Sequence, residues 1–421
     1  MATIRPFRGV RYNPAVVGDL QHVVSPPYDV ISTEQQTLLH LRSPYNAVHL
    51  DLNRDPERYT VAAQMLSTWL EQHALLQEEE PAIYVYAQEF TLKDGIRRRR
   101  VGLLTALQLE EFSSGKIRPH ERTFEYAKAD RLALLQACQT HLSSIFCLYA
   151  RPGWSVDRTL ASALTEAPLV HVTDENDTVH TLWRVTDPAL IAKMAGQLEH
   201  ETLIIADGHH RYETALRYRN EQAQQAKLTG EEPCNFVLAF LTNALEEGLV
   251  ILPTHRLLNG VNLPKMEHLR MVLQRQFRVA VYREQEKEAF FAALRTPGKR
   301  HIGCAFAGAG YYWLVAFDDR VTEGLAIPAS LRALDVTVLH DVLLQRFLGL
   351  PPDVQKEKLT YTIDENEALS RVARHQNQAA FFLNPTTFQQ VAEVCKSGET
   401  MPQKSTYFFP KLLTGLVFYK L

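Results

Sequence analysis

The stretch TLIIADGHHRYETAL, residues 202–216, is the part of the sequence that decides the fold. Residues 203–206 are apolar and rich in β-branched side chains, which predicts a strand covered on both faces. Gly208 allows a tight turn and a close approach of the backbone. From His209 onward the composition favours a helix. We therefore predict a buried strand, a one-glycine turn and the start of a helix.

The predicted turn is suited to binding an anion. The first backbone N–H groups of a helix have no helical partners, and with a nearby Arg they form a common phosphate site. Arg211 fits this role because its planar guanidinium can hold two phosphate oxygens at once. His209 and His210 add two titratable groups to the turn. The alternative is that Asp207 only caps the helix and that the histidines are surface residues.

Length and charge limit the classes of protein to consider. With 421 residues the chain is too long for one ordinary core, so we expect two domains, and three are possible. The formal net charge of −3 provides no overall attraction to nucleic acid or to an anionic membrane. The four arginines at 97–100 form a local basic patch, which we interpret as a hairpin edge or a solvated face.

Cysteine usage indicates the cellular compartment. The five cysteines are scattered, their number is odd, and no Cys-x-x-Cys pair is present. We therefore expect a reducing, cytoplasmic compartment and no structural zinc site. No apolar signal region follows Met1, and no apolar run reaches the length of a membrane span.

The predicted elements change in character near residue 260. Before this point, strands, helices and proline-rich loops alternate irregularly, and residues 82–90 and 99–110 are predicted to form a hairpin. Beyond it, short strands alternate with helices near 264–275, 285–295, 329–345, 365–375 and 386–396. The aromatic segment 404–411 predicts an ordered tail that packs back on the chain. We expect a mixed α/β protein with two domains, 1–260 and 261–421.

A second candidate site is the polar loop that follows Pro119. A carboxylate near a phosphate can take the proton from an attacking hydroxyl, so Glu121 is a candidate general base. His120 precedes it in the same loop. The alternative is that Glu121 simply lies near a helix start, where acidic residues are favoured.

Asp207 has several possible roles: it can bind Mg²⁺, act as a base or orient His209. Mg²⁺ prefers one or two carboxylates together with phosphate oxygens, so Asp207 and a nucleotide phosphate are a plausible pair of ligands. Zinc is less suited to the turn, because adjacent histidines point apart and the His-Glu-x-x-His spacing is missing.

His255 and Arg256 are a third candidate pair. They are predicted to close a strand after Pro253 and Thr254, and at a carboxyl end they could reach the same cleft. Alternatively they make local hydrogen bonds in a loop. No Walker A, Gly-x-Gly-x-x-Gly or Gly-x-Ser-x-Gly pattern is present, which disfavours P-loop kinases, Rossmann dehydrogenases and α/β-hydrolases.

Five separated blocks resemble one family almost end to end. From them the chain is identified as a member of domain-of-unknown-function family 1015, a name that supplies no activity. The blocks are SPPYDV (25–30), Pro-His-Glu (119–121), DGHHRYETA (207–215), LPTHR (252–256) and KSTYFFPK (404–411).

Two of these blocks, in their order, are also similar to the ParB/sulfiredoxin superfamily and within it to the free-serine kinases. Those enzymes phosphorylate L-serine from a nucleotide. The resemblance implies a ParB/sulfiredoxin-like nucleotide-binding core before residue 260, and the regular α/β pattern after residue 260 predicts an accessory domain. It also implies that Glu121 is the catalytic base and that His120 orients it or contacts phosphate. Asp207, Gly208, His209 and Arg211 would hold the nucleotide phosphates and Mg²⁺.

The sequence departs from that pattern at two points. Sulfiredoxin has a catalytic cysteine where this chain has His209, which puts sulfinic-acid reduction in doubt. The half of the chain after residue 260 has no counterpart in the serine kinases. His210, His255 and Arg256 are kept as further candidate cofactor-binding residues.

The function predicted from the sequence is a nucleotide-dependent phosphotransferase acting on a small hydroxylated metabolite. L-serine is the first acceptor to consider, with ADP or ATP as donor and Mg²⁺ as cofactor. One alternative is a nucleotide-binding regulatory or DNA-associated protein, which the near-neutral charge disfavours. Another is a phosphatase or other hydrolase, because it would need the same phosphate cradle.

Overall fold

The computed structural model describes residues 2–123 and 125–421. The chain divides into two units, each described here by itself. The first unit comprises Met1–Pro119, Thr123–Val250 and Phe408–Leu421. The second unit comprises His120–Arg122 and Ile251–Tyr407. Both combine helices with sheets, so the predicted mixed α/β class is confirmed. Every helix in the described residues is too short or too polar to cross a lipid bilayer.

The strands of the first unit form mainly one large mixed sheet. Its order is β6-β11-β8-β12-β5-β4-β10-β9, with β1 beside β5, while β2 and β3 pair separately. The strands are β1 (Ile4–Arg5), β2 (Val10–Tyr12), β3 (Leu75–Gln77), β4 (Ile83–Thr91), β5 (Arg97–Gln108), β6 (Ile117–Pro119), β7 (Thr140–His141), β8 (Ile145–Tyr149), β9 (Val170–Thr173), β10 (Val179–Val185), β11 (Leu203–Asp207) and β12 (Phe236–Asn243).

Helices pack on this sheet and around it. They are α1 (Pro14–Val17), α2 (Thr33–Arg42), α3 (Val48–Asp51), α4 (Arg58–Glu71), α5 (Glu125–Cys138), α6 (Val156–Thr159), α7 (Pro188–Leu198) and α8 (His209–Gln225).

The strand before the decisive turn lies inside the sheet, as predicted. β11 runs parallel to β6, with Ile205 opposite Pro119, and antiparallel to β8. Residues 203–206 are all buried. Leu203 and Ile205 share one core cluster with Tyr212 and Leu216 of α8, so the strand and the helix are fixed to the same core.

The second unit contains a six-stranded antiparallel sheet. Its order is β15-β17-β16-β19-β14-β18. The strands after β12 are β13 (Val250–Leu252), β14 (His255–Leu258), β15 (Arg278–Arg283), β16 (Arg300–Phe306), β17 (Tyr311–Phe317), β18 (Leu359–Thr362), β19 (Ala379–Phe382) and β20 (Tyr407–Phe409).

The helices of the second unit lie close to their predicted positions. There are two exceptions. The region predicted as one helix near 329–345 is broken into two short helices and a π-helical segment, Val338–Phe347, and the helix Pro352–Lys358 is not predicted from the sequence. The helices are α9 (Met266–Leu273), α10 (Lys287–Leu294), α11 (Ala329–Arg332), α12 (Asp335–Thr337), α13 (Pro352–Lys358), α14 (Glu365–Ala373) and α15 (Phe388–Lys396).

The tail is ordered and belongs to the first unit. Its last strand, β21 (Tyr419–Lys420), pairs with β7, and Phe408 packs edge-on against Phe146. Phe418 is fully buried beside Tyr12.

The two units differ from the predicted ranges 1–260 and 261–421 at three points. The first unit ends at Val250, because β14 pairs with β18 and β19 and so joins the second sheet. Residues 408–421 return to the first unit. Residues 120–122 go with the second unit, because the backbone N–H of Met401 donates to the carbonyl of His120 at 2.8 Å.

Candidate phosphate-binding site

The turn between β11 and α8 has the predicted form. β11 ends at Asp207, Gly208 has a φ of +86° and α8 begins at His209. A Cβ at Gly208 would lie 3.1 Å from the guanidinium of Arg211. The positive φ and this close approach together explain why glycine occupies the position.

Asp207 does not cap the helix. The cap position is Gly208, and no side chain of the described residues supplies a capping hydrogen bond there. Asp207 Oδ1 accepts a hydrogen bond from Lys411 Nζ at 2.7 Å, and its Oδ2 accepts one from Arg211 Nη2 at 2.8 Å. The capping alternative considered for the sequence is therefore wrong, because the carboxylate holds two cations instead.

The charges at the turn keep Asp207 ionised. Burial by itself would raise the pKa of its carboxyl, but Lys411 and Arg211 outweigh that effect and hold the pKa well below its usual range. Burial would lower the pKa of the Arg211 guanidinium, but the acidic groups around it, Asp207 foremost, more than offset this effect and raise the pKa.

Arg211 folds back over the turn. Besides Asp207, it donates through Nη1 to the backbone carbonyl of Ser144, which precedes β8. Its side chain is 11% exposed. The planar fork therefore lies at the amino end of α8, with one branch on a carboxylate and the other on a carbonyl.

The two histidines differ in their surroundings. His209 is buried, so the alternative that both histidines are surface residues is wrong for His209. A positive charge on His209 would lower the pKa of Asp207. His210 is half-buried. Both belong to the first turn of α8, together with Arg211.

The donors around Asp207 do not fit the expected Mg²⁺ site. Both carboxylate oxygens accept from cations, and a metal ion would have to displace one of them. Within residues 2–123 and 125–421, no group of three or more His, Cys, Asp or Glu side chains is arranged to hold a metal. The assignment of Asp207 as a metal ligand is therefore not supported by the chemistry of its neighbours.

A small cavity adjoins Arg211 on the side of α5. Its volume is about 40 Å³, and Asp51 and Arg131 line it. Asp51 Oδ1 accepts from Arg131 Nη1 at 2.9 Å, whereas its Oδ2 has no hydrogen-bond partner in the described part of the chain. Such a volume holds a few water molecules, and cofactor sites are several times larger, so this cavity is not where a nucleotide base would lie.

His120 and Glu121 belong to the second unit. His120 is buried, and its Nε2 lies 2.8 Å from Thr406 Oγ1 and 4.0 Å from Glu121 Oε2. The backbone of Glu121 forms a parallel bridge with Met401. His120 is thus adjacent to the carboxylate that the family resemblance implies it orients.

His255 and Arg256 begin a strand instead of closing one. Pro253 has no N–H for a ladder, and the strand predicted to run through it from residue 249 to residue 258 is divided there into β13 and β14. Arg256 is buried in the second unit and donates to the carbonyls of Thr254 and Lys404. Burial lowers its pKa to about 10. One of these bonds is local and the other joins Arg256 to a residue 148 positions away, so the side chain is held within the second unit. A ligand-binding role for His255 and Arg256 stays a prediction.

Comparison with known protein families shows to which family the sequence is related. The sequence matches the family described as "Protein of unknown function (DUF1015)" over residues 4–337, which is most of its length. The chain belongs to the DUF1015 family. No curated protein matches the chain.

Several solved structures resemble this DUF1015 protein weakly. A conserved hypothetical protein from Pyrococcus furiosus is 15% identical, with a TM-score of 0.34, over 70% of this chain and 89% of that one. A free serine kinase in complex with AMP is 13% identical, with a TM-score of 0.35, over 70% and 83%. A C-terminally truncated SbnI from Staphylococcus aureus is 11% identical, with a TM-score of 0.36, over 74% and 85%. Likenesses of this size carry no functional conclusion.

Sequence reasoning misses two cationic side chains: Lys411, which contacts Asp207, and Arg100, which bonds the backbone of the segment that carries Lys411. Lys411 lies in the aromatic tail, and Arg100 lies in the run of four arginines for which the sequence predicts a hairpin edge or a solvated face. Arg100 is fully buried, so that prediction is wrong for it. Strand alternation separates Arg98 and Arg100 from Arg97 and Arg99, and this is the signal that the four are not equivalent.

Proposed function

We propose that this DUF1015 protein is a nucleotide-dependent phosphotransferase that holds a phosphate at the amino end of α8. The observation that carries the proposal is the convergence of Arg211 and Lys411 on Asp207, next to the first N–H groups of that helix. Two cations share one carboxylate there, and the helix end adds a partial positive charge. An anion is the ligand that this arrangement favours.

Phosphoryl transfer matches these groups chemically. The reaction needs little beyond positioning and stabilisation of charge on the phosphoryl oxygens. A guanidinium, an ammonium and helix N–H groups supply that stabilisation when they are aimed at the transferring group. Gly208 lets the backbone approach the phosphate closely.

The identities of the substrates come from the motif resemblance. ADP or ATP is the proposed donor, and L-serine is the first acceptor to test. Glu121 is the proposed general base on the strength of that resemblance alone. Because the residues around Asp207 do not form a metal site, we derive no step through a protein-bound Mg²⁺.

Phosphorus NMR tests the proposed reaction. Purified protein is incubated with L-serine, Mg²⁺ and either ADP or ATP, and the spectrum is followed with time. We expect a growing phosphoserine signal with one donor, and we expect Glu121→Gln to reduce its rate at least about a hundredfold, the lower end of what general bases contribute. Glu125→Gln is the matched control, because Glu125 is an exposed carboxylate four residues away.

The other outcomes contradict the proposal in different ways. Free phosphate as the only product would make the protein a hydrolase. Undiminished turnover in Glu121→Gln would remove Glu121 from the role of base. No change in the spectrum with ADP or ATP would leave nucleotide binding without phosphotransfer, as in the regulatory alternative.

A further inference from the structure

The C-terminal segment supplies a cation that the predicted phosphate motif does not contain. Lys411 lies 204 residues after Asp207 in the sequence, yet its Nζ is 2.7 Å from Asp207 Oδ1. Its side chain is only 15% exposed. We infer that Lys411 contacts the phosphate in the nucleotide site, so that the C-terminal segment is part of that site; this inference rests on the proposed function.

Arg100 holds the backbone that carries Lys411. Its guanidinium is fully buried and donates to the carbonyls of Phe409 and Pro410. It also donates from Nε to Gln88 Oε1 at 3.0 Å, and Gln88 Nε2 in turn donates to the carbonyl of Lys411 at 2.9 Å. Gln88 and Arg100 face each other across β4 and β5, so two rigid strands fix three successive carbonyls of the tail.

The chain beyond Lys411 is fixed as well. The N–H of Leu413 lies 3.5 Å from the hydroxyl of Tyr86, which also bonds the ring of His180. Thr414 and Ser25 exchange two backbone hydrogen bonds, of 2.9 and 3.1 Å. Lys411 therefore extends from a segment anchored on both sides, so that binding a ligand does not require its backbone to be ordered.

The charges around Asp207 explain why a lysine is favoured at position 411. Asp207 is one carboxylate bonded to two cations, and the buried Arg100 acts on it as a third. The carboxylates of Asp29 and Asp51 also act on Arg211 and raise its pKa. An ammonium has three donors on a flexible stem, so Lys411 can turn toward a phosphate oxygen while Asp207 keeps it at the turn. Arg100 acts through Lys411 and is a positioning residue.

Calorimetric titration with ADP tests this inference. We expect Lys411→Gln to weaken ADP binding about tenfold or more, because a charge-assisted hydrogen bond is lost. Lys411→Arg keeps the charge and should restore the affinity to within about threefold of the wild type. Lys420→Gln is the matched control, since Lys420 is an exposed lysine in the same tail, and it should bind ADP like the wild type.

The role of Arg100 is tested in the same assay by a double substitution. Arg100→Lys keeps a cation but loses the planar fork that bonds two carbonyls, so the tail should hold Lys411 less well and ADP should bind more weakly. In Lys411→Gln, the further change Arg100→Lys should then have almost no effect on ADP affinity. A merely structural role of Arg100 would lower the affinity equally in both backgrounds.

The results separate this inference from the proposed function. No ADP binding by the wild type would overturn both. ADP binding that Lys411→Gln leaves unchanged would overturn only the inference, and so would a Lys411→Arg variant that melts like the wild type but binds ADP as weakly as Lys411→Gln. If Lys411→Gln does not fold, Lys411→Met removes the same charge and keeps the apolar stem.

Discussion

Asp207 is the residue on which the account of the turn depends. Its carboxylate joins Arg211, four residues further along the chain, to Lys411 from the C-terminal segment. Two ion pairs outweigh the effect of burial on its pKa. The residue therefore holds two cations and does not cap α8, and in the proposed site these cations would face a phosphate.

Removing this charge should destabilise the first unit. Asp207→Asn leaves Arg211 and Lys411 as neighbouring cations without their shared partner, so we expect the free energy of unfolding to fall by about 1–3 kcal/mol at pH 7. Denaturant titration measures the loss. Asp353→Asn, at an exposed aspartate of α13, is the control and should change the free energy of unfolding little.

The pH dependence of that loss follows from the direction of the pKa shift. Because the pKa of Asp207 is depressed in the folded state, its stabilisation is fully present above the unfolded value, near 4, and is lost as the pH falls through the folded value. The difference in the free energy of unfolding between the wild type and Asp207→Asn should stay constant from pH 7 to pH 5 and become smaller below about pH 4. A difference that already shrinks between pH 7 and pH 5 would contradict the ion-pair description.

At the scale of elements, β11 and α8 hold the turn rigidly. β11 is paired on both sides, and Tyr212 of α8 is buried in the core with its hydroxyl donating to the carbonyl of Glu110 at 2.7 Å. The first turn of the helix therefore has little freedom, and the approach of its N–H groups depends on the single residue between the two elements, Gly208.

Gly208→Ala should show this dependence. Its φ of +86° is strained for any side chain, and the new Cβ would press on Arg211, so we expect a loss of about 1–2 kcal/mol of stability together with weaker ADP binding. Gly196→Ala is the control: Gly196 lies in α7, where an added Cβ would meet no other described side chain within 4 Å, and the substitution should stabilise the chain by about 0.4–1 kcal/mol. Equal effects at both glycines would mean that the backbone of the turn is not special.

At the scale of the whole molecule, the elements encoded by neighbouring residues can be predicted from the sequence, whereas contacts between distant residues cannot. The strand, glycine and helix at 202–216 are encoded by neighbours in the sequence, and the structure has them at the predicted positions. The short strands and most helices after residue 260 are found for the same reason. Periodicity and turn residues act over a few positions, which is why these elements can be recognised without a structure.

The cations that complete the turn cannot be predicted in that way. Lys411 comes from a position far from the motif, and the return of the tail to the first unit brings it to β11 and α8. Arg100 is placed by β5 of the large sheet, where it donates to the carbonyls of Phe409 and Pro410. The grouping of His120–Arg122 with the second unit likewise depends on contacts made near Met401. Such contacts depend on the topology of the chain, which the pattern of neighbouring residues does not predict.

The central claim, that the turn binds a nucleotide phosphate, is tested most directly by titrating ADP into the wild type and Arg211→Ala in a calorimeter. We expect the wild type to bind and Arg211→Ala to bind about ten- to a hundredfold more weakly, the range for losing a charged hydrogen bond. Arg217→Ala, at an exposed position of the same helix, should bind like the wild type. Equal ADP affinity in Arg211→Ala and Arg217→Ala, or no binding by the wild type, would contradict the account.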